Sequence, residues 1–136
     1  MTKAILKLFY ALACLFSIAN GVWMLFFPLS WYTDLPTAIP HTGGINAHFI
    51  RDLGVAYLVG ALGFGWCALH LDRCRLIYVG LTVFFAGHAL IHVVDIVARR
   101  LPDIHWIIDA PLVFVPALIL IVFAVSPIRR HFEGPT

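Results

Sequence analysis

Charged side chains are scarce in this chain, at 12% of 136 residues, where a soluble domain carries about a quarter. That shortage excludes an ordinary water-soluble domain, which needs more polar surface than this sequence can supply. Positive charge is just as thin. A net charge of +2, dispersed along the chain, excludes a nucleic-acid partner, which would need a basic patch. Thiol chemistry is excluded by spacing. Cys14, Cys67 and Cys74 are scattered without a CxxC pair, so neither a disulfide framework nor a thiolate metal site is expected. Internal repeats and low-complexity tracts are lacking too, which leaves one domain over residues 1–136.

What is present in abundance is apolar, at 62%. Crossing a hydrocarbon core of about 30 Å takes roughly 20 apolar residues in a helix. Four stretches qualify: Ala4–Phe27, Ile45–Leu69, Leu76–Ala98 and His105–Val125. The expected fold is therefore all-α, an integral membrane four-helix bundle with an outer loop at 28–44. Lys3 and Lys7 ahead of an apolar run also resemble a secretory signal. The run continues to Phe27, however, which predicts an uncleaved first helix.

Basic residues orient such a bundle, because positively charged loops stay in the cytoplasm. With both termini cytoplasmic, Lys3, Lys7, Arg73, Arg75, Arg129 and Arg130 lie inside and only Arg99 and Arg100 lie outside. The reverse orientation is worse. Pro28, Pro36, Pro40 and the Gly43-Gly44 pair predict an irregular outer loop, a candidate lid over that end. Ala56 with Gly60 and Ala61 with Gly65 suit close helix approach. Pro111 and Pro116 are expected to bend the fourth helix and free backbone carbonyls.

On this topology every strongly polar intramembrane residue falls in the outer half. His48, Arg51 and Asp52 stand near the outer end of the second helix, within HFIRD. His88, His92 and Asp95 climb the third, within GHALIHVVD. His105 and Asp109 open the fourth, within HWIID. At about 100° per residue, His88, His92 and Asp95 share one face. His48 with Asp52 and His105 with Asp109 are i,i+4 neighbours. A charge near a helix centre costs on the order of 3 kcal/mol on insertion scales, so these groups must be paired or neutralised by something bound.

Imidazole and carboxylate without thiolate are ligands for iron, copper or zinc, and four-helix bundles recruit such ligands from facing helices. His48, Asp52, His88, His92, Asp95 and Asp109 are the candidate metal ligands, with His41 and His105 as peripheral members. Asp52, Asp95 and Asp109 are also the candidate catalytic bases. Arg51 is the wrong type for a ligand and is assigned to a carboxylate partner or an anionic substrate group. Haem b between His48 and His88 or His92 is a lesser alternative, because haem iron needs no carboxylates. The bland alternatives are an Arg51–Asp95 or Arg51–Asp109 salt bridge and histidines that merely hydrogen-bond between helices.

The expected function is a membrane metal-binding protein doing redox or oxygen chemistry on a lipid-soluble substrate or quinone. A non-enzymatic accessory subunit or metal-handling protein of a larger membrane complex is the alternative, and a haem b or quinone electron-transfer module a further one. A homo-oligomer is also open. In RDLGVAYLVGALGFG, Arg51, Gly54 and Gly60 form a pattern that resembles small DoxX-like four-helix bacterial membrane proteins. The resemblance covers one helix and the four-span layout. It implies a bacterial inner-membrane protein in a group with links to quinone-coupled redox chemistry. The charge-based topology, not the resemblance, places the expected site on the periplasmic side.

Overall fold

Proline and asparagine punctuate the first half of the chain. Helix α1 (Thr2–Phe26) ends where Pro28 opens a second short helix, α2 (Pro28–Asp34), at the position where a missing N–H matters least. Leu35, ahead of Pro36, is extended and closes α2. A 3₁₀ turn, Ile39–Thr42, follows. Asn46 then caps α3 (Ala47–Leu69), its side chain accepting from the Phe49 N–H at 3.1 Å. A tight turn at Leu71–Arg73 leads into α4 (Arg75–Val97), and the chain returns through α5 (His105–Ile108) and α6 (Val115–Ala124). This computed structural model describes residues 2–125. Arg129 and Arg130, counted above for orientation, lie outside the described residues. No strand occurs among the described residues.

Three helices, α1, α3 and α4, are long and apolar enough to cross a membrane. The region expected as a fourth span, bent by Pro111 and Pro116, is divided into two helices. Between α5 and α6 lies a π-helical turn, Ala110–Phe114, where the Asp109 carbonyl accepts from both Val113 (2.8 Å) and Phe114 (3.3 Å). Pro116 withholds the N–H that a regular helix would offer to Leu112, and the wider turn accommodates that loss.

α1 packs most closely on α3, and α6 on α4. The α1–α3 crossing is nearly backbone on backbone at Gly21 and Gly54. A Cβ on Gly21 would stand 2.8 Å from the Gly54 carbonyl oxygen, and one on Gly54 would stand 2.9 Å from the Gly21 carbonyl oxygen. The small pairs fare differently. Ala56 is exposed and a Cβ on Gly60 would meet only Leu81, at 3.9 Å, whereas Ala61 is buried and a Cβ on Gly65 would stand 3.4 Å from Cys14 Sγ on α1.

The two ends of the bundle differ. At the end with the Leu71–Arg73 turn, Leu6, Tyr10, Phe64, Cys67, Tyr78 and Leu120 form a closed core, and the Tyr78 hydroxyl donates to the Leu120 carbonyl. At the other end residues 28–46 fold over the helices as a cap. Trp31 of α2 is buried against Met24 and Ile50, and the Tyr32 hydroxyl donates to the Gly43 carbonyl at 2.7 Å. The expected irregular loop thus contains a helix, seated by its aromatics.

Candidate functional site

Beneath the cap lies a cavity of about 300 Å³, within the range of ligand pockets. Its wall is mostly aromatic and aliphatic, with Trp31, Tyr57 and Ile50 among its members. Asn20 of α1, Thr37, Thr42 and Asn46 of the cap, and His88 and His92 of α4 are among its polar points. A second, almost wholly apolar cavity of about 220 Å³ lies beside it. The two share Phe16 and Leu112 in their walls.

Behind the first cavity runs a file of hydrogen-bonded side chains. His88 and His92 sit edge to face with ring centroids 4.7 Å apart. His92 Nδ1 lies 2.7 Å from Asp109 Oδ2, and His105 Nδ1 lies 2.9 Å from the same oxygen. His105 Nε2 in turn lies 3.0 Å from Nδ1 of His41, an exposed residue of the cap. Asp109 and His105 are both 0% exposed. The sharing of Oδ2 leaves Asp109 Oδ1 buried without a partner.

The chemistry of the groups sets the direction of these bonds. An ionised carboxylate only accepts, so His92 and His105 each donate Nδ1–H to Asp109. Neutral His105 then has a bare Nε2, which accepts the Nδ1–H of His41. Neutral His92 likewise has a bare Nε2, a base at the cavity wall. Protonation there makes an imidazolium whose charge Asp109 offsets at 2.7 Å.

No family model matches this chain, and no curated protein or solved structure matches it either. Its own geometry therefore carries the functional reading, and the DoxX-like likeness stays a likeness of one helix.

The expected site residues divide into three places. His88, His92 and Asp109 come together, and His41 and His105, expected at the periphery, are integral members of the file. His48 and Asp52 do not join them. They pair with each other at 3.4 Å with side chains 89% and 64% exposed, on the stripe that also exposes Val55, Val59 and Leu62. Depth placed Asp52 level with the site, but angle removes it: Asp52 stands two residues, about 200°, from the buried face of Ile50 and Gly54. Arg51 is exposed and forms no ion pair among the described residues, so neither expected salt bridge to Asp95 or Asp109 forms. Asp95 pairs with Arg100 at 3.0 Å, and its carbonyl accepts from Arg100 and Leu101 at the end of α4. Haem ligation by His48 with His88 or His92 would need His48 at the cavity wall, to which it does not belong.

The metal expectation finds no geometric support. Among the described residues, no group of three or more His, Cys, Asp or Glu side chains is arranged to hold an ion. The reason is visible in the file, where donors that would face an ion point at one carboxylate oxygen instead.

Sequence reasoning passed over Asn20, Thr37 and the aromatics of the cavity. Asn20 had a signal: with Ser17, it is a polar residue at i,i+3 spacing in an apolar helix, and both are buried. Thr37, in a loop without periodicity, had none.

Proposed function

We propose that this chain is an integral membrane protein of four crossings, both termini cytoplasmic, that binds a lipid-soluble quinone-type ligand in its periplasmic half. It passes protons between the ligand head and the outer face. One observation carries this reading: the His92–Asp109–His105–His41 file starts at a cavity wall and ends at an exposed residue of the cap. A structural polar network would have no need of a bare base at the cavity. The adjoining apolar cavity, reached past Phe16 and Leu112, suits the hydrocarbon tail of such a ligand.

The proton steps follow from the bonding directions. When a quinol hydroxyl ionises, its O–H bond breaks and His92 Nε2 takes the proton. The Nδ1 proton of His92 passes to Asp109. Outward transfer then requires His105 and His41 to switch to the tautomers that carry Nε2–H. Asp109 gives its proton to the bare Nδ1 of His105, the Nε2 proton of His105 passes to Nδ1 of His41, and His41 releases its Nε2 proton at the outer face. The resulting quinolate passes one electron to a one-electron carrier in a partner subunit. The second hydroxyl's proton then leaves to water and the second electron follows to the same class of carrier, so the chain serves as the ligand-binding and proton-conducting part of a larger membrane complex.

The reading is tested by titrating the detergent-purified protein with decyl-ubiquinone while following Trp fluorescence, since Trp31 lines the cavity. Saturable quenching that is lost when Leu53→Trp narrows the cavity is expected. Quenching that survives Leu53→Trp, or none at all, overturns the reading. Elemental analysis of the same sample separates it from the iron- or copper-binding expectation: a stoichiometric metal retained by wild type and lost in His92→Ala would replace proton conduction with metal chemistry.

A further inference from the structure

Asn20 lies 93% buried on α1, in the cavity wall, with 7% of its surface exposed. Its side-chain oxygen accepts from the Trp31 indole N–H at 2.9 Å. An indole N–H can only donate, so this bond fixes which way the Asn20 amide faces. The oxygen turns to Trp31 of the cap, and the NH₂ group is turned away from it. That NH₂ carries two donors and has no acceptor among the described residues. In the same cavity wall stands a second polar group without a partner, the hydroxyl of Thr37, a residue 4% exposed. Buried polar groups are nearly always hydrogen-bonded, and an amide donor set oriented from behind is how binding sites present a fixed contact.

We propose that Asn20, oriented by Trp31 and assisted by Thr37, donates to a second oxygen of the cavity's ligand. This rests on the reading of the cavity as a quinone-type site and narrows the ligand to a ring with two oxygens. One is ionisable and exchanges its proton at His92; the other is a hydrogen-bond acceptor held at Asn20. His92 and Asn20 divide the work: the first is a base, the second a fixed donor that cannot titrate. Trp31 is a positioning residue. It ties the cap to the amide, so closure of residues 28–46 and orientation of the donor are one event.

The experiment is a cycle between protein and ligand. Two probes with the same decyl tail are titrated by fluorescence quenching: decylhydroquinone, kept reduced, and a decylphenol that keeps one of its two ring hydroxyls. They are compared in wild type, Asn20→Leu and Asn20→Asp, the last keeping the acceptor for Trp31 while removing both donors. Wild type is expected to bind the two-oxygen probe about tenfold more tightly, the effect of one well-placed hydrogen bond. Both variants should bind the two probes equally, at the affinity wild type shows for the phenol. Thr37→Val should lose a few-fold for the two-oxygen probe only, and Thr37→Ser should restore it. Discrimination that persists in both Asn20 variants, or is missing from wild type while both probes bind, overturns the assignment of Asn20. Failure of wild type to bind either probe overturns the quinone-type reading itself.

Discussion

The two ends of this bundle are made from the same helices and do opposite things. At the turn end, rings pack on one another: Tyr10 meets Tyr78 with centroids 6.1 Å apart and Phe64 at 6.4 Å, and the Tyr78 hydroxyl is satisfied by a backbone carbonyl. At the cap end the helices enclose a cavity, and two buried oxygens, Asp109 Oδ1 and Thr37 Oγ1, lack partners, while at the turn end one buried ring nitrogen, His70 Nδ1, lacks one. Filled space and matched polar groups stabilise a fold. Empty space and unmatched groups lower stability and are kept where something binds. The molecule is therefore divided along its length into an end that holds it together and an end that works.

The sharpest break in that comparison is Asp109→Asn. An amide oxygen can still accept from both Nδ1–H groups, but it cannot take up a proton. Proton transfer to a bound quinone, followed with a pH-indicating dye in stopped flow, should slow by about 10²–10⁴-fold. A change under tenfold would remove Asp109 from the path. The mirror-image substitution is Leu6→Ala at the turn end, at a core residue that lines neither cavity. It should lower unfolding free energy by about 2–5 kcal/mol, measured by denaturant titration in mixed micelles, with ligand affinity unchanged. Gly54→Ala tests where the two ends meet, since its new methyl would press on the Gly21 carbonyl and on Met24. A stability loss of about 1–3 kcal/mol is expected. Weaker quinone binding should accompany it, because Leu53 and Tyr57 beside it line the cavity.

Smaller effects belong to the rim. His41→Ala should slow proton release only a few-fold, because His41 is exposed and water can replace it as the last carrier. An effect as large as that of Asp109→Asn would instead make His41 an internal member of the path. Smallest is the response of the cap to acid. Hydrogen bonds from Thr33 and Ser30 hold the Asp34 carboxyl below its ordinary range. Its contribution is complete above the unfolded carboxylate pKa and is lost as pH falls through the lower folded value. Amide exchange in residues 28–46 should therefore rise slightly in acid while the Phe64 core is unmoved, and Asp34→Asn should abolish that response.

Much of this was legible in order along the chain. Composition and run length set the all-helical membrane character, because burying twenty residues of backbone in hydrocarbon leaves a helix as the only single-segment solution. Period placed His88 and His92 on one face and joined His105 to Asp109. Proline marked both the cap and the broken fourth segment. The error over His48 and Asp52 came from reading depth without angle: 1.5 Å per residue says how high a side chain stands, and only the buried face of Ile50, Gly54 and Phe64 says which way it looks. That face could have been read from the sequence. Asn20 could have been suspected there, but its role could not.

Sequence by itself determined the segments, their apolar length and the pool of histidines and carboxylates at one end, since each depends only on neighbours within a turn or two. Tertiary structure decided which of those groups meet. Asp109 joins His92 across 17 positions and His105 joins His41 across 64, and no local rule sets such distances. They follow from the Gly21–Gly54 crossing, the π-turn after Asp109 and the aromatics that seat the cap, where close packing leaves one arrangement of rings and backbone.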